Sequence, residues 1–181
     1  MDKASALLIV NGFADLVLLS QVFLVVFILI LVLSKVFKKN KTLKGVVNVF
    51  SENALIFAFF VALAAMTGSL FFSEVAHFVP CKLCWYQRIC MYPQVLILGI
   101  AAFKNDFSIK RYILPLSIIG FLIATYHYVL QMSPLPLPCT DEIASCAAKQ
   151  AAFFGYITIP LMSWTAFAMI ILFMLLIKKK K

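Results

Sequence analysis

Long apolar segments alternate with short polar segments along most of the chain. Each apolar segment is about long enough to cross a ~30 Å hydrocarbon core as an α-helix, which takes roughly 20 residues. The segments run from Leu16 to Leu33, from Ala54 to Phe72, from about Trp85 to Phe103, from Tyr112 to about Gln131, and from Tyr156 to Ile177. The pattern predicts an all-α integral membrane protein with five transmembrane helices.

Basic residues concentrate in three of the polar segments. These clusters are Lys35, Lys38, Lys39, Lys41 and Lys44; Lys104, Lys110 and Arg111; and Lys178 to Lys181. Lys and Arg are enriched on the cytoplasmic side of membrane proteins. If all three clusters lie inside, the N-terminus lies outside, and the segments that carry Cys81 and Cys139 also lie outside. A cleaved signal peptide carries its charges before its apolar run. Here the lysines follow it, so residues 1–34 are interpreted as a transmembrane helix.

The composition agrees with a membrane protein and gives the positive charge a simple meaning. Hydrophobic residues make up 64% of the chain and charged residues 13%, whereas soluble domains are about half apolar and a quarter charged. The formal net charge of +9 comes largely from the clusters that flank apolar segments. It therefore indicates orientation in the membrane lipid, and no nucleic-acid partner is expected.

Four of the five cysteines fall in two pairs on the predicted outer side. Cys81 and Cys84 lie between the second and third apolar segments, and Cys139 and Cys146 lie between the fourth and fifth. Disulfides persist in oxidising compartments such as the periplasm or the cell exterior. Cys90 lies two turns into the third segment, where a free cysteine usually serves as a small buried apolar residue. The two outer pairs are therefore the candidates for disulfide chemistry.

The first pair has the surroundings of a reactive thiol. If Trp85 begins a helix, Cys84 lies at its N-terminus, where the helix dipole favours a thiolate. Arg88 follows four residues later and falls on the same helical face. An arginine at membrane depth is costly enough to suggest a function. The combination indicates redox chemistry at Cys81 and Cys84.

Two further features of the outer side bear on its chemistry, the second cysteine pair and a histidine. Residues seven apart in a helix are separated by ~10 Å along its axis, beyond the ~7 Å that a disulfide allows between Cα atoms. Cys139 and Cys146 can therefore bond only if the segment between them turns back on itself. His127, near the outer end of the fourth segment, is either a hydrogen-bonded interior residue or a donor to a quinone carbonyl.

Four stretches of the sequence together resemble a known family. They are Ser69–Val75, Pro80–Arg88 with its Cys-x-x-Cys-x-Tyr-x-Arg motif, His127–Gln131, and the proline-led segment from Cys139 to Cys146. Over residues 54–177 the chain resembles the disulfide bond formation protein DsbB family, especially its BdbC-like branch. The resemblance implies a four-helix transmembrane bundle, here with an additional N-terminal transmembrane helix. We expect residues 1–48 to hold that helix and a basic cytoplasmic loop, and residues 49–181 to form the redox domain.

The resemblance also implies a quinone-dependent protein-disulfide oxidoreductase in the bacterial plasma membrane. Such proteins reoxidise a secreted thioredoxin-like thiol oxidase of the DsbA type and pass the electrons to a membrane quinone, ubiquinone or menaquinone. By the resemblance, Cys139 would form the mixed disulfide with the partner, and Cys146 would be its bonded mate. Cys81 would exchange with this second pair, and Cys84 would face the quinone. The side chains implied in quinone binding are Arg88 and His127.

Three other interpretations of the cysteines stay open on the sequence alone. Both pairs can be structural disulfides of a non-enzymatic scaffold, which would resist reduction in the glutathione range. Four thiolates can hold Zn²⁺, but the six residues between Cys139 and Cys146 exceed the usual ligand spacing, so no metal is expected. A quinone reductase of the vitamin K epoxide reductase type also has a Cys-x-x-Cys. In that family the pair lies near the end of a late helix, whereas Cys81 and Cys84 precede an early one.

Overall fold

Six α-helices make up most of the part of the chain that the structure describes. The structure is a computed structural model, and it describes residues 3–37, 40–133, 145–147, 149 and 152–177. The helices are α1 (Lys3–Val36), α2 (Lys41–Glu52), α3 (Ala54–Leu70), α4 (Lys82–Lys104), α5 (Lys110–Met132) and α6 (Ile159–Leu176). The shorter elements are a π-helical turn (Phe71–Val75), a 3-10 turn (Phe107–Ile109), and an antiparallel hairpin of β1 (Ala152–Phe153) and β2 (Ile157–Thr158).

The helices α3 to α6 form a bundle, and α1 packs outside it. Helix α3 packs against α4 and α6, and α5 packs against the same two helices, while α1 contacts α2 and α6. The helices long and apolar enough to cross a membrane, among the described residues, are Ile9–Val36, Ala54–Val75, Phe107–Met132 and Ile159–Leu176. Helix α4 is not among them because Gln87, Arg88 and Gln94 make it more polar, but its 23 residues extend roughly 34 Å at 1.5 Å per residue. The predicted all-α membrane fold, a four-helix bundle with an additional N-terminal helix, is confirmed.

Side-chain contacts define two ends of this bundle. At one end, Arg88 near the start of α4 donates to Ser69 near the end of α3, and His127 near the end of α5 approaches Cys81. At the opposite end, the Ser51 hydroxyl donates to the carbonyl oxygen of Leu176. The described members of the three basic clusters lie where α1 and α4 end and where α2 and α5 begin; they are Lys35, Lys41, Lys44, Lys104, Lys110 and Arg111. The cysteine end and the basic end are therefore opposite ends of the bundle, as the charge pattern predicts.

Close helix packing in the bundle depends on small and polar residues. Helices α5 and α6 approach each other at Gly120, where a Cβ atom would overlap the ring of Phe167. Helices α4 and α5 are joined by a buried hydrogen bond of 2.8 Å from the Ser117 hydroxyl to Gln94 Oε1. Gln94 Nε2 in turn donates to the backbone oxygen of Cys90, at 2.9 Å. Interfaces with small residues and buried pairs of polar side chains hold helices together in lipid.

Helix α1 runs antiparallel to α3. The Phe13 ring lies against Gly68 near the end of α3, and the rings of Phe23 and Phe27 lie against Phe50 at the end of α2. The N-terminal half of α1 therefore lies at the cysteine end of the bundle, and its last turn with Lys35 lies at the basic end. This is the arrangement that the predicted five crossings require.

Several helix boundaries differ from those predicted from the sequence, and two of the differences have a clear local cause. The basic loop expected over Lys35–Lys44 is interrupted because α2 begins at Lys41, where the Asn40 side chain accepts hydrogen bonds from two backbone N–H groups of the first turn. The last helix begins at Ile159 rather than Tyr156, because the preceding residues form the β-hairpin. Pro160 favours this start. Proline lacks a backbone N–H group, but in the first helical turn this group would have no partner within the helix.

Candidate active site

Cys81 and Cys84 lie at the start of α4, with their sulfur atoms 3.3 Å apart. Both are free thiols. Cys81 is the N-cap residue, with an extended backbone of φ −76° and ψ 173°, and Cys84 is the third residue of the helix. The expectation that Trp85 begins the helix and places Cys84 at its N-terminus is therefore wrong. The helix starts one turn earlier, and Cys81 occupies the terminal position.

This geometry favours Cys81 as the thiolate of the pair. A hydrogen bond from the Cys84 thiol holds the pKa of Cys81 well below its ordinary value, and His127 lowers this pKa further, although burial of Cys81 opposes both. The N-terminus of α4 adds a favourable dipole at the same sulfur. Cys84 supplies a proton donor, and Cys81 carries the negative charge. The sequence-based argument assigned the thiolate to Cys84 on two grounds, the helix N-terminus and Arg88. The first ground applies to Cys81, because the helix starts one turn earlier than predicted.

His127 is the residue that joins the two cysteine pairs. Its side chain is 1% exposed, with Nε2 3.6 Å from Cys81 Sγ and 3.2 Å from the backbone oxygen of Cys146. Its Nδ1 lies 3.0 Å from the amide nitrogen of Gln87. An amide nitrogen only donates, so Nδ1 is the acceptor and the proton of the neutral ring resides on Nε2. His127 therefore directs an N–H group at the cysteines.

Cys146 is the one described member of the second pair. It is disulfide-bonded, 1% exposed, and packed in one buried cluster with Cys81 and Leu130. Cys139 lies outside the described residues. The first pair and Cys146 thus share a buried site, although they are far apart in the sequence.

Arg88 is held beside this site by Ser69. Its Nε donates to the Ser69 hydroxyl and its Nη2 to the Ser69 carbonyl oxygen, each at 2.9 Å. The guanidinium carbon also lies 5.2 Å from the centre of the Trp85 ring, within the range of a cation–π interaction. The Tyr92 hydroxyl donates to the hydroxyl oxygen of Ser69, at 3.3 Å. These contacts fix the charge one turn below the reactive cysteines.

A cavity of about 510 Å³ opens beside these residues. Its walls are mainly apolar and aromatic side chains. The functional candidates that line it are Cys81, Cys84, Gln87, Arg88, His127 and Cys146. An apolar cavity with a few convergent polar groups is the usual form of a small-molecule site. A quinone head group fits these residues, because its hydrocarbon ring needs apolar walls and its two oxygens accept hydrogen bonds from groups such as Arg88.

Three of these residues also form a possible set of metal ligands. One ligand atom each from Cys81, Cys84 and His127 lie within 4.8 Å of one another. Thiolate and imidazole are the preferred ligands of Zn²⁺. This set differs from the four-cysteine site considered on the sequence, because His127 takes the place of the second pair.

The structure brings together five of the six predicted site residues, and Cys139 lies outside the described part. The sequence argument missed two residues that hold the others in place. Gln87 orients His127, and Ser69 orients Arg88. Gln87 had a detectable signal, since a glutamine in an apolar helix three residues after Cys84 needs a polar partner. Cys90, predicted to be structural, is a buried free thiol within the apolar core.

Comparisons with known proteins identify the family. The family model for disulfide bond formation protein DsbB matches residues 51–177. Disulfide bond formation protein C of Bacillus subtilis (strain 168) is 48% identical over 136 residues, which cover 72% of this chain and 98% of that protein. The probable disulfide formation protein C of Halalkalibacterium halodurans is 42% identical over 133 residues, 72% of this chain and 96% of that protein. No solved structure matches the chain. The resemblance drawn from the cysteine motifs is confirmed, and the chain belongs to the disulfide bond formation protein DsbB family.

Proposed function

We propose that this disulfide oxidoreductase reoxidises a thioredoxin-like thiol oxidase of the DsbA type and passes the electrons to a membrane quinone. One observation carries the proposal. The imidazole of His127 contacts Cys81 and the backbone of Cys146 at once, and all three line an apolar cavity. A disulfide site that only stabilises a loop needs neither the shared histidine nor the cavity.

The first exchange takes place at the second pair, for which we propose a Cys139–Cys146 disulfide. A thiolate of the reduced partner attacks Cys139, the Cys139–Cys146 bond breaks, and Cys146 leaves as a thiolate. The second thiolate of the partner then attacks the partner's own sulfur in the mixed disulfide and releases Cys139. The partner leaves with a disulfide, and the second pair has gained two electrons and, on protonation, two protons.

The second exchange transfers the electrons to the first pair. A thiolate of the reduced second pair attacks Cys81 in a Cys81–Cys84 disulfide, and Cys84 leaves. The other thiolate of the second pair then closes the Cys139–Cys146 bond again and releases Cys81. Departure of Cys81 is favoured because the better leaving group is the thiol of lower pKa, and both the Cys84 thiol and His127 stabilise the Cys81 thiolate.

The side chains at the cavity suit a quinone as the final acceptor. When bound, a quinone takes up two electrons and two protons and so allows the Cys81–Cys84 disulfide to form again. Arg88 uses two of its N–H groups in hydrogen bonds to Ser69. Because a guanidinium has five N–H groups, Arg88 can also donate to an oxygen of a ligand. His127 has an N–H group on the same side. Ubiquinone and menaquinone both meet these requirements.

The orientation in the membrane follows from the two ends of the bundle. We propose that the cysteine end faces the exterior of the plasma membrane and that the basic end faces the cytoplasm. Residues 49–181 then form the redox unit, and residues 1–48 supply an additional helix and its cytoplasmic connection. An oxidising exterior is the compartment in which a secreted thiol oxidase works.

Reconstitution of the complete chain tests the proposal. The purified protein in detergent is mixed with a reduced DsbA-type oxidase and decylubiquinone, and quinone absorbance and partner thiols are measured together. We expect one quinone to be reduced for each partner disulfide formed, and no quinone reduction with Cys84→Ala. A separate trap mixes reduced Cys146→Ser with the oxidised partner. The Cys139 thiolate attacks the partner's disulfide, one partner sulfur leaves as a thiolate, and a mixed disulfide through Cys139 should accumulate because residue 146 has no thiol to break it. Failure of the wild-type protein to couple partner oxidation to quinone reduction would rule out the proposed reaction.

A further inference from the structure

Helix α1 lines the cavity although it lies outside the region that the family model matches. The match begins at residue 51, whereas the cavity walls include Phe13, Leu16, Val17, Ser20 and Phe23. We infer that α1 is a wall of the quinone-binding site and that its cavity-facing residues set the affinity for quinone in this chain. The inference rests on the proposed function, because it names a further part of the same site.

The cavity-lining residues of α1 form one face of the helix. Apart from the adjacent Leu16 and Val17, they follow one another at intervals of three or four positions, and residues with this spacing share a helical face. The opposite face carries Leu19, Val22 and Val25, which are 68%, 55% and 60% exposed. In a membrane that face contacts lipid. Only one side of α1 can therefore contact a ligand in the cavity.

The outer part of the cavity-lining face is fixed to α3 by an aromatic contact. The Phe13 ring lies so close to Gly68 that a Cβ atom there would be 3.1 Å from its Cε1 atom. The same ring lies 5.9 Å from the ring of Phe71 and 5.7 Å from that of Phe72, between centroids. Phe72 also lines the cavity. Helix α1 thus meets α3 at the π-helical turn, next to the reactive end of the site.

The middle of α1 is fixed to α6 by a glutamine. Gln21 Nε2 donates to the Thr165 hydroxyl at 3.2 Å, and Gln21 Oε1 accepts from the Tyr156 hydroxyl at 3.0 Å. One end of the amide is therefore bonded to α6 and the other to the β-hairpin that precedes it. A polar side chain in an apolar helix is costly without partners and joins helices when it has them. These bonds hold the face with Val17 and Ser20 against the cavity.

The chemistry of the wall indicates which part of a quinone it contacts. Apart from Ser20, the α1 residues at the cavity are hydrocarbon side chains. Ser20 directs its hydroxyl at the backbone oxygen of Leu16 in its own helix, at 2.8 Å. The wall therefore suits the apolar ring edge or isoprenoid tail of a quinone, whereas the oxygens face Arg88 and His127. Helix α1 accordingly affects affinity and leaves thiol exchange unchanged.

A pair of tryptophan substitutions on opposite faces of α1 tests the inference. Val17→Trp fills the cavity from α1, and Leu19→Trp places the same ring on the exposed face. The dissociation constant for decylubiquinone is measured by calorimetry on the complete chain in detergent. Because the larger ring occupies space in the cavity that the quinone would fill, we expect Val17→Trp to weaken binding about tenfold or more, which is about 1.4 kcal/mol or more. Leu19→Trp should stay within about twofold of the wild-type protein.

Two controls separate the possible results. A single round of exchange between the reduced partner and the second pair, without quinone, should be equal in both variants and the wild-type protein. Binding by Val17→Trp as tight as that of the wild-type protein, with binding lost in Arg88→Ala, would overturn the role of α1 and leave the proposed function intact. Absence of binding by the wild-type protein would instead contradict the quinone site itself.

Photolabelling of the unmodified protein covers the case in which Val17→Trp does not fold. A light-activated azido-ubiquinone should label peptides from residues 13–23 as well as α4, and excess decylubiquinone should suppress both. Competed labelling of α4 without labelling of α1 would overturn the inference. If no labelling is suppressed by competitor, the quinone site itself is contradicted.

Discussion

The amide nitrogen of Gln87 lies 3.0 Å from Nδ1 of His127, and this hydrogen bond decides which ring nitrogen carries the proton at the cysteines. Gln87 lies on α4 and His127 on α5, and both are buried. With Nδ1 occupied by a donor, Nε2–H faces Cys81 and Cys146. Gln87 therefore acts as a positioning residue through His127, and it also ties together the two helices that carry the reactive groups.

Replacement of Gln87 by Leu should slow exchange between the two cysteine pairs. Loss of a buried hydrogen bond costs about 1–2 kcal/mol, so we expect a rate lowered about 5- to 30-fold. His127→Phe should cause at least as large a loss. The rate is followed by quenching the reaction and counting the thiols of each pair by mass spectrometry. If Gln87 acts through His127, the double variant should be no slower than His127→Phe alone, whereas additive losses would show that Gln87 acts separately.

The lowered pKa of Cys81 predicts a pH-dependent reactivity of the first pair. An ordinary cysteine has a pKa near 8.5 and reacts slowly below pH 7. In the reduced protein, Cys81 should be alkylated by iodoacetamide well below pH 7, because its thiolate is present at any pH above its lowered pKa. Cys84→Ala removes the largest stabilising hydrogen bond and should shift the alkylation profile of Cys81 to higher pH. Cys84→Ser keeps a hydroxyl donor and should retain most of the shift.

The same pKa predicts how the stability of the reduced protein depends on pH. A thiol whose pKa is lowered on folding stabilises the folded state fully above the unfolded pKa, and this contribution is lost as pH falls through the folded pKa. The thermal midpoint of the reduced protein should therefore decrease as the pH is lowered from about 8.5 to the lowered pKa of Cys81. Cys81→Ser, which carries no titrating thiol there, should lose this part of the pH dependence. Equal slopes in the two proteins would contradict the assignment of the thiolate to Cys81.

Variants of the Arg88 anchor should affect quinone affinity more than thiol exchange. Arg88→Ala removes the charge and both bonds to Ser69, and Arg88→Lys keeps the charge without the planar fork. Ser69→Ala removes only the hydroxyl acceptor, since the carbonyl oxygen of residue 69 still accepts from Nη2. The apparent KM for decylubiquinone should rise least in Ser69→Ala, more in Arg88→Lys and most in Arg88→Ala. A quinone dependence unchanged in Arg88→Ala would reduce Arg88 to a structural anchor.

Cys90 takes no part in the proposed reaction, so its replacement should leave the activity unchanged. It is buried in the apolar core, and its backbone oxygen accepts a hydrogen bond from the side-chain amide of Gln94. Cys90→Ala should keep full coupling between partner oxidation and quinone reduction. The small cavity it leaves should cost about 1 kcal/mol of stability. A well-folded but inactive Cys90→Ala would show that this thiol takes part in the reaction.

The sequence indicated a candidate site because the motif that carries it is local. The spacing of Cys81, Cys84 and Arg88 lies within three turns of one helix, and apolar segments of membrane length mark the helices themselves. The helix start was placed wrongly because an N-cap at Cys81 has no Ser, Thr, Asp or Asn to announce it. Short elements such as α2 and the β-hairpin lack the long apolar pattern from which the transmembrane helices were predicted.

Contacts between distant parts of the chain could not be predicted in the same way. Gln87 and His127 are 40 positions apart, and Gln21 and Thr165 are 144 apart. A single glutamine in an apolar helix indicates that a polar partner exists, but the packing of the bundle decides which residue that is. The role of α1 at the cavity depends on the same packing. The local motif identifies the family, and the long-range contacts determine how its parts are held.

The contact between Gly120 and Phe167 predicts a strong effect on stability from a position in the middle of α5. Any side chain at Gly120 would overlap the Phe167 ring, and both residues lie at the buried interface of α5 and α6. Gly120→Ala should therefore destabilise the protein by roughly 1–3 kcal/mol, as overpacking does. Phe167→Leu should partly restore the Gly120→Ala variant, because it removes the atoms that clash. Gly12→Ala is the matched control, since nothing lies within 4 Å of a Cβ there and alanine favours the helix. Thermal midpoints in detergent compare the four proteins, and a Gly120→Ala variant as stable as Gly12→Ala would contradict the close approach of α5 and α6.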